Sequence, residues 1–296
     1  MLPPFVPPAA LSRVPAARLR IVDLGHSPDG TAPRDAYAAG HVPGSAFLDL
    51  DRWLAGPPSP GRGRHPLPEP EVFAEGLSRA GVGPDDVVVA LDRVGGVFAA
   101  RLVWMLRAVG GDAAVLDGGL AAWTDEHGAA SLEVGAPPAD GAGGPGGTGG
   151  APSVDVPVRP FPAHLVADVA EVDAVAAAAL RGEDPGTVLL DARERARFDG
   201  AGHPLDTVAG HVPGARSLPC RESVDERGRL LDDAVLRARL HGVGVDGDAE
   251  VVSSCGSGVT ACHTLLVLEH LGLGRGRLFP GSWSQWTGTG RPVATA

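Results

Sequence analysis

Short, uninterrupted apolar runs alternate with longer amphipathic stretches along the 296 residues of the chain. Short runs rich in β-branched residues predict buried strands, whereas longer stretches with apolar residues every three to four positions predict helices. The predicted strands are Arg20–Leu24, Asp86–Leu91, Ala113–Leu116, Thr187–Leu190 and Glu250–Ser254. The predicted helices are Glu71–Ala80, Val97–Val109, Glu171–Arg181, Asp232–Leu240 and Val259–Leu271. This alternation indicates an α/β fold in which mainly parallel sheets are flanked by helices.

An internal repeat divides the chain into two halves. Four motifs of the first half recur in the same order in the second half. They are GHVPG at Gly40–Gly44 and Gly210–Gly214, IVDL at Ile21–Leu24 with LLDA at Leu189–Ala192, Val88–Asp92 with Val251–Cys255, and Leu116–Trp123 with Phe279–Trp286. Chance explains one such match but not four in one order, so the chain contains two copies of one domain.

A stretch rich in Gly and Pro, which includes GAGGPGGTGG, lies between the two copies. Such a sequence cannot bury enough apolar surface to offset the entropy of ordering it, which is typical of a linker. We therefore expect a first domain at residues 1–135, a linker at 136–160 and a second domain at 161–296.

Composition and charge narrow the functional classes. A net charge of −11 disfavours general binding to nucleic acid or to anionic membranes. The sequence contains no lysine, so all 25 cationic side chains are arginine, which excludes a lysine Schiff base and a P-loop. No apolar run approaches the ~20 residues of a membrane span, and the first residues lack the pattern of a signal peptide. We expect a cytoplasmic protein.

The three cysteines, Cys220, Cys255 and Cys262, are too few and too unevenly placed for a disulfide framework. They form no CxxC pair, so we expect no metal site. Cys255 differs from the other two because it directly follows a predicted strand and opens the loop Cys255–Thr260 (CGSGVT). In parallel sheets, ligands bind beyond the carboxyl ends of the strands.

The loop after this strand is suited to stabilising negative charge. Its glycines allow consecutive backbone N–H groups to converge, and the following helix adds the positive end of its dipole. This setting favours the thiolate form of Cys255 and predicts a nucleophile. A phosphatase loop of the C-x5-R type would need an arginine where Ala261 stands, so phosphoryl transfer is disfavoured. For Cys220 and Cys262 we expect inert, buried thiols.

At these residues the sequence resembles the rhodanese superfamily of sulfurtransferases. The CGSGVT loop resembles the active loop of the 3-mercaptopyruvate sulfurtransferases, and the two GHVPG segments and Phe279–Trp283 (FPGSW) resemble the family's signatures. The resemblance spans nearly the whole chain outside the linker. It implies two tandem rhodanese-like domains, of which the first is catalytically silent and the second is active. The repeat agrees, because Asp92 stands where Cys255 would be and a carboxylate cannot carry sulfane sulfur.

The resemblance also implies the reaction. Sulfur passes from 3-mercaptopyruvate to a persulfide on Cys255 and then to a thiol or cyanide acceptor, which includes the possibility of a protein thiol. No cofactor is required. The N–H groups of the loop, at Gly256, Gly258, Val259 and Thr260, would bind and stabilise the charge that moves during transfer.

Further site residues are implied by the same resemblance. Ser257 matches the serine of the active loop, and Asp51 and His65 match the aspartate and histidine that form a triad with it. Such a triad could relay a proton while pyruvate leaves as its enolate. Arg197 matches the arginine that binds the donor anion.

One departure from the family pattern leaves the donor open. Many mercaptopyruvate enzymes have a second arginine shortly after the first, but the corresponding stretch here, Gly202–Val208 (GHPLDTV), offers only His203. Thiosulfate is therefore the alternative donor. A different class also remains open, namely a non-catalytic persulfide carrier or redox-sensing module that serves a protein partner.

Overall fold

The computed structural model describes residues 1–137, 142–143 and 154–295. The chain divides into two units, each with its own sheet. Unit 1 consists of Met1–Gly56, Pro68–Phe161 and Val224–Leu230. Unit 2 consists of Pro57–Leu67, Pro162–Ser223 and Leu231–Ala296.

The sheet of unit 1 has the strand order β1-β5-β4-β2-β3-β6. Its strands are β1 (Phe5–Val6), β2 (Leu19–Asp23), β3 (Ala46–Leu48), β4 (Val87–Leu91), β5 (Asp112–Leu116) and β6 (Ala142–Gly143). All neighbours pair in parallel except β6, which pairs antiparallel with β3. β4 is buried at every residue, as expected of a central strand covered on both faces.

The helices of unit 1 include one that is buried along its whole length. The α-helices are α1 (Pro33–Ala39), α2 (Leu50–Trp53), α3 (Pro70–Arg79), α4 (Ala99–Ala108) and α5 (Gly119–His127), and Pro8–Arg13 and Ala129–Ser131 form 3-10 turns. Every residue of α4 is buried, including two arginines, of which Arg107 donates to the carbonyl of Ala113 at 2.8 Å. The helix that follows the central strand is therefore the most deeply buried one in this unit's described part.

Unit 2 has a parallel sheet of four strands in the order β10-β9-β7-β8. The strands are β7 (Thr187–Asp191), β8 (Arg216–Ser217), β9 (Glu250–Ser254) and β10 (Arg277–Leu278). The helices are α6 (Val169–Leu180), α7 (Arg195–Phe198), α8 (Asp233–Gly242), α9 (Ala261–His270) and α10 (Ser282–Gly288), with 3-10 turns at Ala163–Leu165 and Cys220–Ser223. Phe279, Trp283 and Trp286 form a fully buried part of its core.

The predicted α/β class and all ten predicted elements are confirmed, with ends that shift by at most about two residues. Sequence reasoning missed the short strands, such as β8, because two residues carry no periodicity. Of the predicted linker, residues 138–141 and 144–153 lie outside the described residues. The stretch from 154 to 161 belongs to unit 1, where the Arg159 guanidinium donates to the carbonyl of Val109 at 2.9 Å.

The two GHVPG histidines occupy equivalent places in their units. The ring of His41 stacks on Tyr37 with centroids 3.8 Å apart, and the ring of His211 stacks on Phe198 at 3.7 Å. In each case Nδ1 also lies within hydrogen-bond distance of that aromatic residue's carbonyl oxygen, at 3.0 Å and 2.8 Å. This stacking gives both histidines a structural role.

The loop that joins β4 to α4 in unit 1 closes around a carboxylate. Oδ1 of Asp92 accepts from the N–H groups of Val94 and Gly96, both at 2.8 Å. Oδ2 accepts from those of Phe98 and Ala99 at 2.9 and 3.0 Å. Asp92 is fully buried, so its negative charge satisfies donors that water does not reach.

We predict that Asp92→Asn destabilises the protein by about 1–3 kcal/mol, because the new NH2 group would face two of these N–H donors and leave them unsatisfied. The measurement is the urea unfolding midpoint. Asp85→Asn is the matched control, since Asp85 is exposed and contacts Arg18 only through its backbone carbonyl. Equal midpoints for the two variants would contradict the role of Asp92 as the acceptor of these N–H groups.

Candidate active site

Cys255 lies directly beyond the carboxyl end of β9, at the start of the loop that leads into α9. Its side chain is buried, and its Sγ accepts a hydrogen bond from the N–H of Gly258 at 3.1 Å. Gly258 adopts a φ of +80°, and a Cβ at this position would lie 2.3 Å from the carbonyl oxygen of Pro280. Glycine is therefore required here, since it alone allows the turn that directs this N–H group at the sulfur.

The first turn of α10 fixes the backbone on both sides of the sulfur. The N–H of Cys255 donates to Ser282 Oγ at 3.0 Å, and its carbonyl accepts from the N–H of Trp283 at 3.0 Å. The carbonyl of Gly256 accepts from the N–H of Ser284, also at 3.0 Å. Ser282 holds a positive φ of 48° in this arrangement. Sequence reasoning noticed the FPGSW motif that contains Ser282 but did not see that it anchors the reactive loop.

Two predicted site residues meet beside the loop, since Ser257 Oγ lies 2.7 Å from Nδ1 of His65. His65 belongs to unit 2 through the segment Pro57–Leu67. The Gln285 amide fastens this segment by donating to the carbonyl of Gly61 at 2.6 Å. A serine hydroxyl paired with an imidazole is suited to proton transfer. Asp51, the third member expected, lies in the first turn of α2 in unit 1, and its part in the triad stays a prediction.

Arg197 lies on α7 and is held by a carboxylate. Its Nε and Nη2 donate to the two oxygens of Asp206 at 2.8 and 2.7 Å. Burial alone would raise the pKa of the Asp206 carboxyl, but the hydrogen bonds and charge of Arg197, with Arg193 and Arg64 nearby, hold that pKa below its usual value. The pair is therefore ionised on both sides at neutral pH. Nη2 of Arg197 also lies 3.2 Å from the point where a Cβ on Gly256 would be.

A neighbouring arginine, Arg193, has a structural place. Its Nη2 donates to Asp191 at 2.6 Å and to the carbonyl of Gly210 at 2.8 Å, and its guanidinium lies 4.6 Å from the ring centroid of Trp283. Arg193 thus connects the end of β7 with the GHVPG segment. Arg195, in contrast, forms only an exposed ion pair with Glu222 at 3.4 Å.

Sequence reasoning missed a second guanidinium at the loop, that of Arg64. Its Nη2 lies 3.0 Å from the same point beside Gly256, and its Nη1 donates to the carbonyl of Leu205 at 2.6 Å. Burial lowers the pKa of Arg64, and the positive charges of Arg197 and Arg193 lower it further. The charges of Asp206 and Cys255 act in the opposite direction. The available signal was its position next to His65, which the resemblance had already placed in the site.

The other two cysteines offer no comparable reactivity. Burial raises the pKa of the Cys220 thiol to about 12, so it stays protonated at neutral pH. The thiol of Cys262 donates to the carbonyl of Gly258 at 3.4 Å from within α9. Within residues 1–137 and 154–295, no group of three or more His, Cys, Asp or Glu side chains could hold a metal ion. No helix of the described chain is long and apolar enough to cross a membrane.

The site thus combines a sulfur nucleophile, an inward-pointing N–H group, a hydroxyl–imidazole pair and two guanidinium groups. An N–H group in this position can stabilise negative charge on the sulfur, and two guanidinium groups can bind a small anion. The hydroxyl–imidazole pair can supply a proton to a leaving group. This arrangement fits nucleophilic attack on a small anion.

Comparisons with known proteins agree with the fold. The family model described as the rhodanese-like domain matches residues 11–126 and 174–289. A probable 3-mercaptopyruvate sulfurtransferase of Pseudomonas aeruginosa is 41% identical over 272 residues, which are 88% of this chain and 86% of that protein. A putative thiosulfate sulfurtransferase of Mycobacterium tuberculosis is 36% identical over 264 residues, 88% of this chain and 84% of the relative.

The fold is also similar to solved structures. A crystal structure from Escherichia coli, described as a 3-mercaptopyruvate sulfotransferase with the rhodanese fold, has a TM-score of 0.76 and 31% identity and covers 95% of this chain and 99% of its own. The resemblance inferred from the motifs and the pair of rhodanese-like domains are thereby confirmed. The chain is a sulfurtransferase and belongs to the rhodanese-like family, with two tandem copies of the domain.

Proposed function

We propose that this protein transfers sulfane sulfur from 3-mercaptopyruvate, through a persulfide on Cys255, to a thiol or to cyanide. The observation that carries the choice of donor is the 2.7 Å hydrogen bond between Ser257 and His65. A donor that leaves as an enolate needs a proton at its carbon, and this pair is placed beside the nucleophile to supply one. Thiosulfate leaves as sulfite and needs no such proton.

In the first half-reaction the Cys255 thiolate attacks the sulfur of the donor. A sulfur–sulfur bond forms and the carbon–sulfur bond breaks, and its electron pair moves to the enolate of pyruvate. The enolate carbon takes a proton from the Ser257 hydroxyl, which recovers one from His65. The N–H of Gly258, together with those proposed at Gly256, Val259 and Thr260, stabilises the charge on sulfur.

In the second half-reaction the acceptor attacks the outer sulfur of the persulfide. The sulfur–sulfur bond breaks and its electron pair returns to the Cys255 thiolate, so the enzyme is restored without any cofactor. Small thiols and cyanide are the proposed acceptors, and a protein thiol is a further one. We place the reaction in the cytoplasm, in keeping with three cysteines that form no disulfide in the structure.

Within this proposal unit 1 does not transfer sulfur. Its equivalent loop carries Asp92, whose oxygens already accept four backbone N–H groups. A carboxylate offers no sulfur nucleophile, and the donors that would stabilise a persulfide are occupied. Asp51 remains the proposed third member of the triad.

One observation supports thiosulfate as the second candidate donor. Two guanidinium groups face the loop at Gly256, from Arg64 and Arg197. Such a pair could hold a sulfonate oxygen as well as a carboxylate, since both are compact anions. The two donors differ in the need for a proton, and their turnover therefore separates them.

We predict that kcat/KM for 3-mercaptopyruvate exceeds that for thiosulfate by about tenfold or more, which is ~1.4 kcal/mol of transition-state preference. The measurement is steady-state thiocyanate formation from cyanide with each donor, and Cys255→Ser should abolish both activities. The reverse ratio would identify a thiosulfate sulfurtransferase. Failure of both donors would favour the persulfide carrier or redox sensor instead.

Ser257→Ala should lower kcat with 3-mercaptopyruvate by about 100-fold, because the leaving enolate loses its positioned proton donor. Turnover of thiosulfate by the same variant should change by less than about threefold, and it serves as the internal control. His65→Gln should give the same split between donors. If both donors lose activity equally, the proton-relay role is wrong and Ser257 only shapes the loop.

A further inference from the structure

We infer that Arg64 is the residue that receives the anionic group of the sulfur donor beside Cys255. It supplies the second cation that the sequence lacks in the stretch after Arg197. This inference rests on the proposed function, because it names the side chain that would make the site select an anionic donor.

Two guanidinium groups lie beside Gly256. Nη2 of Arg64 and Nη2 of Arg197 lie 3.0 and 3.2 Å from one point, the place where a Cβ on Gly256 would be. Gly256 directly follows the nucleophile, so both guanidinium groups flank the residue next to the reactive sulfur. Any side chain at Gly256 would push one or both groups away. The glycine thus allows two cations to lie against the backbone directly after the reactive cysteine.

The arginines of the site differ in whether a carboxylate balances their charge. Arg197 is neutralised by Asp206 through two hydrogen bonds, and Arg193 is neutralised by Asp191 at 2.6 Å. Arg64 instead donates to a neutral group, the carbonyl of Leu205, and no described carboxylate lies within ion-pair distance of its guanidinium. A guanidinium stays protonated at any physiological pH. Arg64 therefore carries the positive charge that remains available to an incoming anion.

The backbone of unit 2 fixes the position of Arg64. The segment that brings His65 to Ser257 also carries Arg64, whose backbone N–H donates to Ser284 Oγ at 3.0 Å. Gly63 lies so close to α10 that a Cβ on it would be 2.5 Å from the carbonyl oxygen of Gly281. The imidazole and the guanidinium are thus fixed by the same piece of backbone. Such rigid placement is what a group that orients a substrate requires.

The ion pair between Arg197 and Asp206 explains why a second cation, Arg64, is needed. Asp206 stands nine positions after Arg197 and pairs with it through both carboxylate oxygens. This pairing orients Arg197 but leaves its charge balanced. A cation from elsewhere in unit 2 is then needed to balance the donor's carboxylate, and the guanidinium of Arg64 meets this requirement.

The test compares alkylation of Cys255 by iodoacetate, which carries a carboxylate, with alkylation by neutral iodoacetamide. Arg64→Gln should lower the ratio of the two rate constants about tenfold. A change in the thiolate fraction affects both reagents equally and cancels in this ratio. Peptide mass spectrometry identifies Cys255 as the modified residue. An unchanged ratio overturns the inference.

Arg195→Gln is the matched control, because it removes the same charge nearby on α7 from an exposed ion pair with Glu222. Its ratio should stay within about twofold of the original protein, and a tenfold fall in the control would show general electrostatics instead of a specific contact. If Arg64→Gln does not fold, Arg64→Met, which keeps an unbranched apolar stem, is used for the same measurement. An unchanged ratio in that variant also overturns the inference.

Donor kinetics give a second readout. Arg64→Gln should raise KM for 3-mercaptopyruvate about tenfold and leave kcat within about threefold, as expected when a binding contact is lost. The alkylation ratio does not use the donor. If 3-mercaptopyruvate is not turned over but the ratio falls, the proposed donor is wrong and the role of Arg64 stands. If turnover is normal and the ratio is unchanged, only the inference about Arg64 fails.

Discussion

The backbone N–H groups that follow a central strand of each unit require a buried acceptor, and the rest of the site depends on this requirement. A buried N–H group without an acceptor costs about 1–3 kcal/mol, so each loop closes around a side chain that accepts. Unit 1 supplies the carboxylate of Asp92, which accepts four such groups. Unit 2 supplies the sulfur of Cys255, which accepts from Gly258. The fold therefore determines where the acceptor lies, and the chemistry of the side chain determines what that acceptor can do.

A second contact occurs within each unit, but unit 2 makes it from a different position in the sequence. In unit 1, Arg93 connects Asp23 with the carbonyl of Gly40, at 2.7 Å in both contacts. In unit 2, Arg193 makes the equivalent connection between Asp191 and Gly210, but it follows β7 and not β9. In unit 1 the residue after Asp92 is therefore Arg93, whereas in unit 2 the residue after Cys255 is Gly256. With no side chain at this position, the guanidinium groups of Arg64 and Arg197 lie against the backbone of Gly256.

Sequence patterns predicted the features that depend on neighbouring residues. The buried strands and the loop at Cys255 follow from local periodicity, from glycine positions and from the repeat. The contact of His65 with Ser257 joins residues 192 positions apart, and only the family resemblance could suggest it. The roles of Arg64 and Asp206 were missed, because they depend on which side chains the folded backbone brings together. A pattern could show that an arginine was absent after Arg197, but not what stands in for it.

The charges around Cys255 run opposite to those of the whole chain. The protein has a net charge of −11, yet the neighbourhood of the sulfur contains three guanidinium groups, of Arg64, Arg193 and Arg197, against the carboxylates of Asp191 and Asp206. The carboxylates balance Arg193 and Arg197, so the excess is a single positive charge. Because that charge is partly buried, solvent screens it less than it screens the acidic surface. A local excess of this kind attracts a small anion, although the protein as a whole repels anions.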